Sequence, residues 1–279
     1  MNVPTLEEVL GKVRQIPSLS IVVTELLASM DKENVETAYL VGKIGQDQGL
    51  AARVLRVANS AFYGLTSRVS AVNEAVTVLG FNAVRSLALA AGVVQLFPHA
   101  AGNKFDRIAF WQHAIGTGVC ARMLAARLGK DPETAFSAGL LHDMGKLVLH
   151  VYFPDTFDAV LARCAADGCA IVEAERAVLG FDHAAIGYEV ARQWRFPPSI
   201  QQAIRNHHRP DADPAFMSDV VHVANVLCDA LDIGNGGDDV VAPLSAAAWG
   251  RLGLDWAALP ACLRDIGRLN ASMNLLTAE

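Results

Sequence analysis

The chain has 279 residues, 52% of them hydrophobic and 19% charged, which is enough apolar material for one large or two modest cores and excludes long disorder. A formal charge of -6 argues against general nucleic-acid binding through phosphate neutralisation, though a local basic patch stays open. The five cysteines, Cys120, Cys164, Cys169, Cys228 and Cys262, contain no C-x-x-C pair, so we expect reduced thiols in a cytoplasmic protein rather than a disulfide framework or zinc knuckle. Met1 to Pro4 does not begin a basic-then-apolar leader. Apolar windows such as 87–97 fall short of the roughly 20 residues that span a bilayer, so no membrane partner is expected.

The predicted elements are helices throughout, and the predicted fold class is all-α. Thr5 and Glu8 form a capping-box pattern ahead of Leu6, Val9, Leu10 and Val13. Pro17 breaks that helix. Helical stripes follow over 21–30, 34–44, 49–62, 70–79 and 82–97. Pro98 to Asn103 is the clearest break, and a lobe boundary is placed there. Further helices are predicted over 105–128, 132–141 with a continuation past Gly145, 155–166, 171–179, 182–194, 198–207 and 216–231. Pro132 suits a first helical turn, and Asp182 and Ser199 lie where helix starts are expected. Gly234 to Asp239 reads as a mobile acidic loop. Residues 244–276 read as two helices around Trp249 and Trp256.

One stretch organises the rest: Gly139-Leu140-Leu141-His142-Asp143-Met144-Gly145-Lys146. It places an imidazole, a carboxylate and an ammonium within five positions, directly after an apolar helix. A His-Asp pair offers a neutral nitrogen and an anionic oxygen, donors suited to a divalent transition metal. Gly145 lets backbone pass close by, and Lys146 can meet a phosphate as a point charge. The plain alternative is a polar helix end. His113, His183, His207 and His208 lie on other predicted helices of the second block, as do His150 and His222. Sequence spacing cannot bring them together, because all are far apart in the chain.

The order of His113, His142-Asp143 and a later helix with Asn225 resembles the HD superfamily of metal-dependent phosphohydrolases. More closely, the chain resembles the HDOD family, the HD-related output domain of bacterial signalling proteins. The matching segments are Ile16 to Leu19, Ala58 to Gly64, Ala75 to Gly80, Phe110 to His113, Ala138 to Lys146, Asp182-His183, Trp194 to Pro197 and Asn206 to His208. The resemblance implies an N-terminal helical lobe over 5–98 packed on an HD-like lobe over 104–232, followed by an acidic loop and C-terminal extension over 233–279. It also implies a signal-transduction output or scaffold role, acting through contacts with signalling proteins and without demonstrated catalysis.

Carried over residue by residue, the resemblance implies that His113, His142 and Asp143 ligate a first metal. Asp143 would bridge to a second metal held by His183, His207 and His208. Lys146 matches a lysine that contacts phosphate in the related HD-GYP branch. Two departures stand out. Arg209-Pro210-Asp211 replaces the Gly-Tyr-Pro tripeptide, and Asn225 stands where the superfamily has its last Asp. A neutral amide oxygen attracts a divalent cation less than a carboxylate. The expected cofactor is a divalent metal (Fe, Mn, Zn or Mg), set against a fossil site in which the imidazoles bond to one another. The alternative function is a metal-dependent phosphohydrolase acting on a nucleotide or cyclic dinucleotide, with Asp143 and Lys146 as its candidate catalytic groups. Arg53, Arg56, Asn59 and Arg85 read as a solvated helix face before an acidic docking face.

Overall fold

Short polar side chains start many of the helices. Thr5 opens α1 (Leu6–Val13) with the expected capping box: Glu8 N–H donates to Thr5 Oγ1 (3.3 Å) and Thr5 N–H donates to Glu8 Oε2 (2.7 Å). Ser20 caps α2 (Ile21–Ala28), and Asp47 lies between α3 (Thr37–Gln46) and α4 (Gln48–Ala58), capping the latter. The chain continues through α5 (Val72–Leu79), α6 (Phe81–Val94) and the long α7 (Arg107–Arg127). Pro132 and Pro154 occupy first turns in α8 (Pro132–Leu141) and α10 (Pro154–Asp167), with α9 (Met144–Tyr152) between them. Gly168 and Gly180 end α10 and α11 (Ile171–Leu179) in the left-handed conformation. Asp182 caps α12 (His183–Gln193). Then come α13 (Pro198–Asn206), α14 (Phe216–Ala230) and α15 (Ala246–Arg251), capped by Ser245.

This computed structural model describes residues 3–30, 36–59, 65, 67–97, 105–238, 240–258, 260 and 263–264. Among them there is no β-strand, and the all-α expectation holds. The break expected at 98–103, the Phe62-Tyr63-Gly64 turn, His99 and Cys262 lie outside the described residues. No disulfide joins Cys120, Cys164, Cys169 and Cys228 to one another. No helix among the described residues is long and apolar enough to cross a membrane.

The buried residues form one continuous apolar cluster from Val9 to Leu252. Side chains such as Phe110, Phe157, Leu124 and Leu147 are removed from water completely, each worth roughly 1.5–3 kcal/mol. α7 is the central strut, packed on α8 and α14; α9 packs on α12; α6 joins α2, α4 and α5 to α8. Two close crossings align the elements that carry the histidines. A Cβ on Gly139 would stand 2.8 Å from Gly118 Cα, so only paired glycines let α7 and α8 touch here. A Cβ on Gly145 would strike His183 O, so α9 and α12 meet backbone to backbone, as the sequence anticipates.

Three expectations need correction. Ser199 is not the cap of α13: Pro197 holds that position and Pro198 begins the helix, because proline fixes the required φ and lacks the N–H that would need a partner. Arg85 is no part of a solvated face. It is 5% exposed and donates to Ser29 O (3.1 Å), with Phe81 under its guanidinium. Asn59 also points inward, exchanging hydrogen bonds with the backbone of Val69. Around Trp249 the helix is short, and Trp256–Ala258 is a 3-10 turn stacked on it.

Candidate metal centre

His142 ends α8 and Asp143 begins α9, so the pair sits on the kink between two buried helices. Neither is more than 1% exposed. The Gly118–Gly139 crossing brings His113, midway along α7, to a ring separation of 5.4 Å from His142. Asn225 reaches in from α14, its Oδ1 lying 2.8 Å from His113 Nε2 and 3.0 Å from His142 Nε2. On the other side, the α9–α12 contact sets His183 Nε2 at 3.0 Å from Asp143 Oδ1. His207 Nε2, from the end of α13, stands 3.6 Å from the same oxygen. His208 Nε2 is 3.0 Å from His183 Nε2.

The structure therefore brings together every candidate ligand named from the sequence, in two groups that share Asp143. One is His113, His142 and Asp143; the other is Asp143, His183, His207 and His208; within each, the ligand atoms lie within 4.8 Å of one another. Lys146 Nζ pairs with Asp143 Oδ2 at 2.6 Å. His150 and His222 stay out of these groups. His150 packs against Phe105, and His222 bridges the His207 carbonyl (2.7 Å) and the Ser245 N–H (3.0 Å).

The donor set suits a cation. His142 Nδ1 lies 2.6 Å from Gly139 O, His207 Nδ1 lies 2.8 Å from Ile204 O, and His183 Nδ1 lies 2.6 Å from Glu175 Oε2. Each oxygen calls for an N–H at Nδ1, which leaves Nε2 of the neutral ring as a lone pair turned to the centre. Asp143 Oδ1 is buried between Nε2 of His183 and Nε2 of His207 and accepts no hydrogen bond. A buried carboxylate oxygen without a donor is costly, and a metal ion would relieve it.

The charges follow from the packing. Burial pushes His113 down to about 3, with His142 adding to the effect, and burial likewise pushes His207 down to about 4. Burial opposes charge on His183 too, but the Glu175 and Asp143 carboxylates together outweigh it and lift the ring to about 9. Burial would raise Asp143, yet His142 and Lys146 hold it well below the usual carboxylate range. Lys146 in turn is held charged, its pKa raised because Asp143 and Asp238 outweigh its burial.

Three parts of the site escaped sequence reasoning. Glu175 is fully buried and accepts from both Nδ1 and the backbone N–H of His183. Its signal was a carboxylate on the apolar face of α11, one turn from Ile171 and from Leu179. Asp229, one turn beyond Asn225, accepts from Asn225 Nδ2 (3.3 Å), and its Oδ1 lies 3.5 Å from His113 Nδ1. Burial pushes Asp229 up to about 7. The third is the loop after α14. It is not free to wander: Asn235 N–H donates to Ala109 O (3.0 Å), and Asp238 Oδ2 accepts from Ile171 N–H (2.6 Å). Its glycines serve close contact rather than mobility.

The HDOD domain family model matches residues 16–210. The chain belongs to the HDOD family. Among solved structures, this HDOD chain superimposes on a Marinobacter aquaeolei protein provisionally named as a signal transduction protein, with a TM-score of 0.82, 25% identity, and coverage of 100% of this chain and 62% of that one. It also matches a Shewanella amazonensis protein provisionally named as a phosphohydrolase, with a TM-score of 0.77, 28% identity, and coverage of 97% and 98%. Over 150 residues it is 32% identical to ribonuclease Y of Thermus thermophilus, covering 51% of this chain and 21% of that enzyme. The HDOD chain spans less than half the length of the curated relatives it matches first.

Proposed function

We propose that this HDOD protein is a signal-transduction module built around a buried divalent-metal centre, acting through protein contacts rather than turnover. In this reading residues 5–98 form an N-terminal lobe and 104–232 the HD-like lobe, with 233–279 an extension. The observation that carries the metal is Asp143 Oδ1, buried without a hydrogen bond between Nε2 of His183 and Nε2 of His207. His113, His142 and Asp143 would hold one ion, with Asn225 Oδ1 beside them; Asp143, His183, His207 and His208 would hold another. What argues against turnover is Asn225 in place of an acid, together with the burial of Lys146 at 3% exposure. The likeness to the Marinobacter protein supports the signalling role. Elemental analysis of the purified protein tests the centre. A stoichiometric divalent metal, lost in His142→Ala, is expected; background metal in the wild type would reduce the site to a hydrogen-bonded fossil.

A second reading is favoured by Lys146, whose ammonium lies 2.6 Å from Asp143 Oδ2 where a phosphoryl oxygen could be met, and by the likeness to ribonuclease Y. It is a metal-dependent phosphohydrolase acting on a nucleotide, cyclic dinucleotide or RNA. A bound metal would supply an acidified water and a clamp on a phosphoryl oxygen. Here Lys146 would orient the phosphate, and Glu175 would hold His183 in place. Hydrolysis with added Mn2+ that disappears in Asp143→Ala would replace the first reading by this one.

A further inference from the structure

The segment after α14 lies across the Lys146 side of the centre. Gly234 takes φ 65° and presses on the backbone of Ala109 and His113. Asn235 N–H donates to Ala109 O (3.0 Å), which fastens the segment to α7. A Cβ on Gly236 would stand 3.0 Å from Lys146 Nζ and 3.6 Å from Asp143 Oδ2, so its bare backbone rests on that ion pair. Gly237, at φ 113°, passes beside Ile171 where a side chain has no room. Asp238 Oδ2 then accepts from Ile171 N–H (2.6 Å), supplying the cap that Ala170 cannot give α11.

We propose that residues 234–238 are a strap that closes the centre, latched to α11 by Asp238, and that a metal ion or phosphoryl anion reaches Asp143 and Lys146 only when it lifts. The strap is held at both ends, and its middle occupies the space through which an anion would approach Lys146. A cavity of about 240 Å³, lined by Phe105, Asp106, Ala109 and Leu161 with the strap's own Asn235 and Gly237, gives it somewhere to go. This rests on the metal-centre reading for its purpose but not for its geometry. The strap regulates that same site: it sets how fast the centre exchanges with solvent, and a ligand that binds the lifted form shifts the population toward it.

The test uses the full chain loaded with Mn2+, measuring the rate at which excess EDTA strips the metal, and amide hydrogen exchange at Asn235 in metal-free protein. Asp238→Ala is expected to speed both by about tenfold, the change that loss of a typical capping contact produces. Asp238→Asn still offers an acceptor to Ile171 N–H and is expected to stay near wild type. If Asp238→Ala fails to fold, Gly236→Ala, whose new methyl crowds Lys146 Nζ, is expected to accelerate both in the same way. Unchanged rates in the folded variants, or equal acceleration in Asp238→Asn and Asp238→Ala, would overturn the strap. Should the wild type retain no Mn2+, the metal centre is what fails, and exchange decides alone. Protection of the Asn235 amide lost in Asp238→Ala supports the strap; an unprotected Asn235 in the wild type refutes it.

Discussion

The two halves of the centre share Asp143 and reach electrical balance differently. In the first, His113, His142 and Asn225 surround the carboxylate, and burial holds His113 down to about 3. In the second, Glu175 stands behind His183 and lifts it to about 9, so in the metal-free protein this ring carries a proton at neutral pH, which a bound metal would displace from Nε2. The second half thus holds its own cation, while the first relies on Lys146. The difference teaches that a buried site takes its charge from the groups behind the ligands as much as from the ligands themselves.

The largest way to break the comparison is to remove what the halves share. Asp143→Ala leaves the Lys146 ammonium and the His183 imidazolium without their common partner. It is expected to cost roughly 3–5 kcal/mol in urea unfolding and to empty both halves of metal. Next comes the group behind the second half. Glu175→Gln is expected to weaken metal there by about 10–100-fold in a chelator competition, leaving the first half unchanged. An equal loss in both would show that the halves are one unit. Restoring the acid of the first half works in the opposite direction. Asn225→Asp is expected to tighten metal at His113 and His142 by about tenfold, the worth of one added charge a few ångströms away at partial screening.

The smallest expected effect is in pH dependence of the metal-free protein. His183 is raised to about 9 when folded, against about 6.5 for a free imidazole. Its contribution is fully present below pH about 6.5 and is lost as pH rises through about 9. His113 and His207, at about 3 and about 4, act the other way: the unfolded chain takes up their protons first, so stability falls as pH drops from about 6.5 toward those values. Asp229, raised to about 7, partly opposes that acid limb, its contribution fading as pH climbs through about 7. Above pH about 8, where Asp229 is already ionised, the alkaline limb belongs to the second half. Unfolding free energies from urea titrations should fall by on the order of 1 kcal/mol between pH 8 and 9 in the wild type and stay flat in His183→Asn.

Much of the fold was legible because helical period and capping are local. The Thr5–Glu8 box, Asp182 and the proline start of α8 announce their helices within a turn. The site was legible in its ligands only through family likeness, since no local rule joins His113 to His207. What stayed hidden were roles defined by partners remote in the chain. Glu175 looked like one more charge, though its place among Ile171, Val172 and Leu179 already set it facing inward. The glycines of 234–237 resemble those of a mobile loop, because composition cannot distinguish freedom to move from freedom to touch. Arg85 likewise needed Ser29, 56 residues away, to explain its burial.

His222 has a consequence that reaches past the histidine groups. Its ring spans from the His207 carbonyl to the Ser245 amide at the start of α15, where Trp249 lies stacked against Trp256 at 4.5 Å. The C-terminal segment is thereby tethered to the backbone of a candidate ligand. Indole fluorescence from that stacked pair is therefore expected to serve as an intrinsic optical gauge, shifting when the interior fills with metal; a spectrum unmoved by loading would show that the tether transmits nothing.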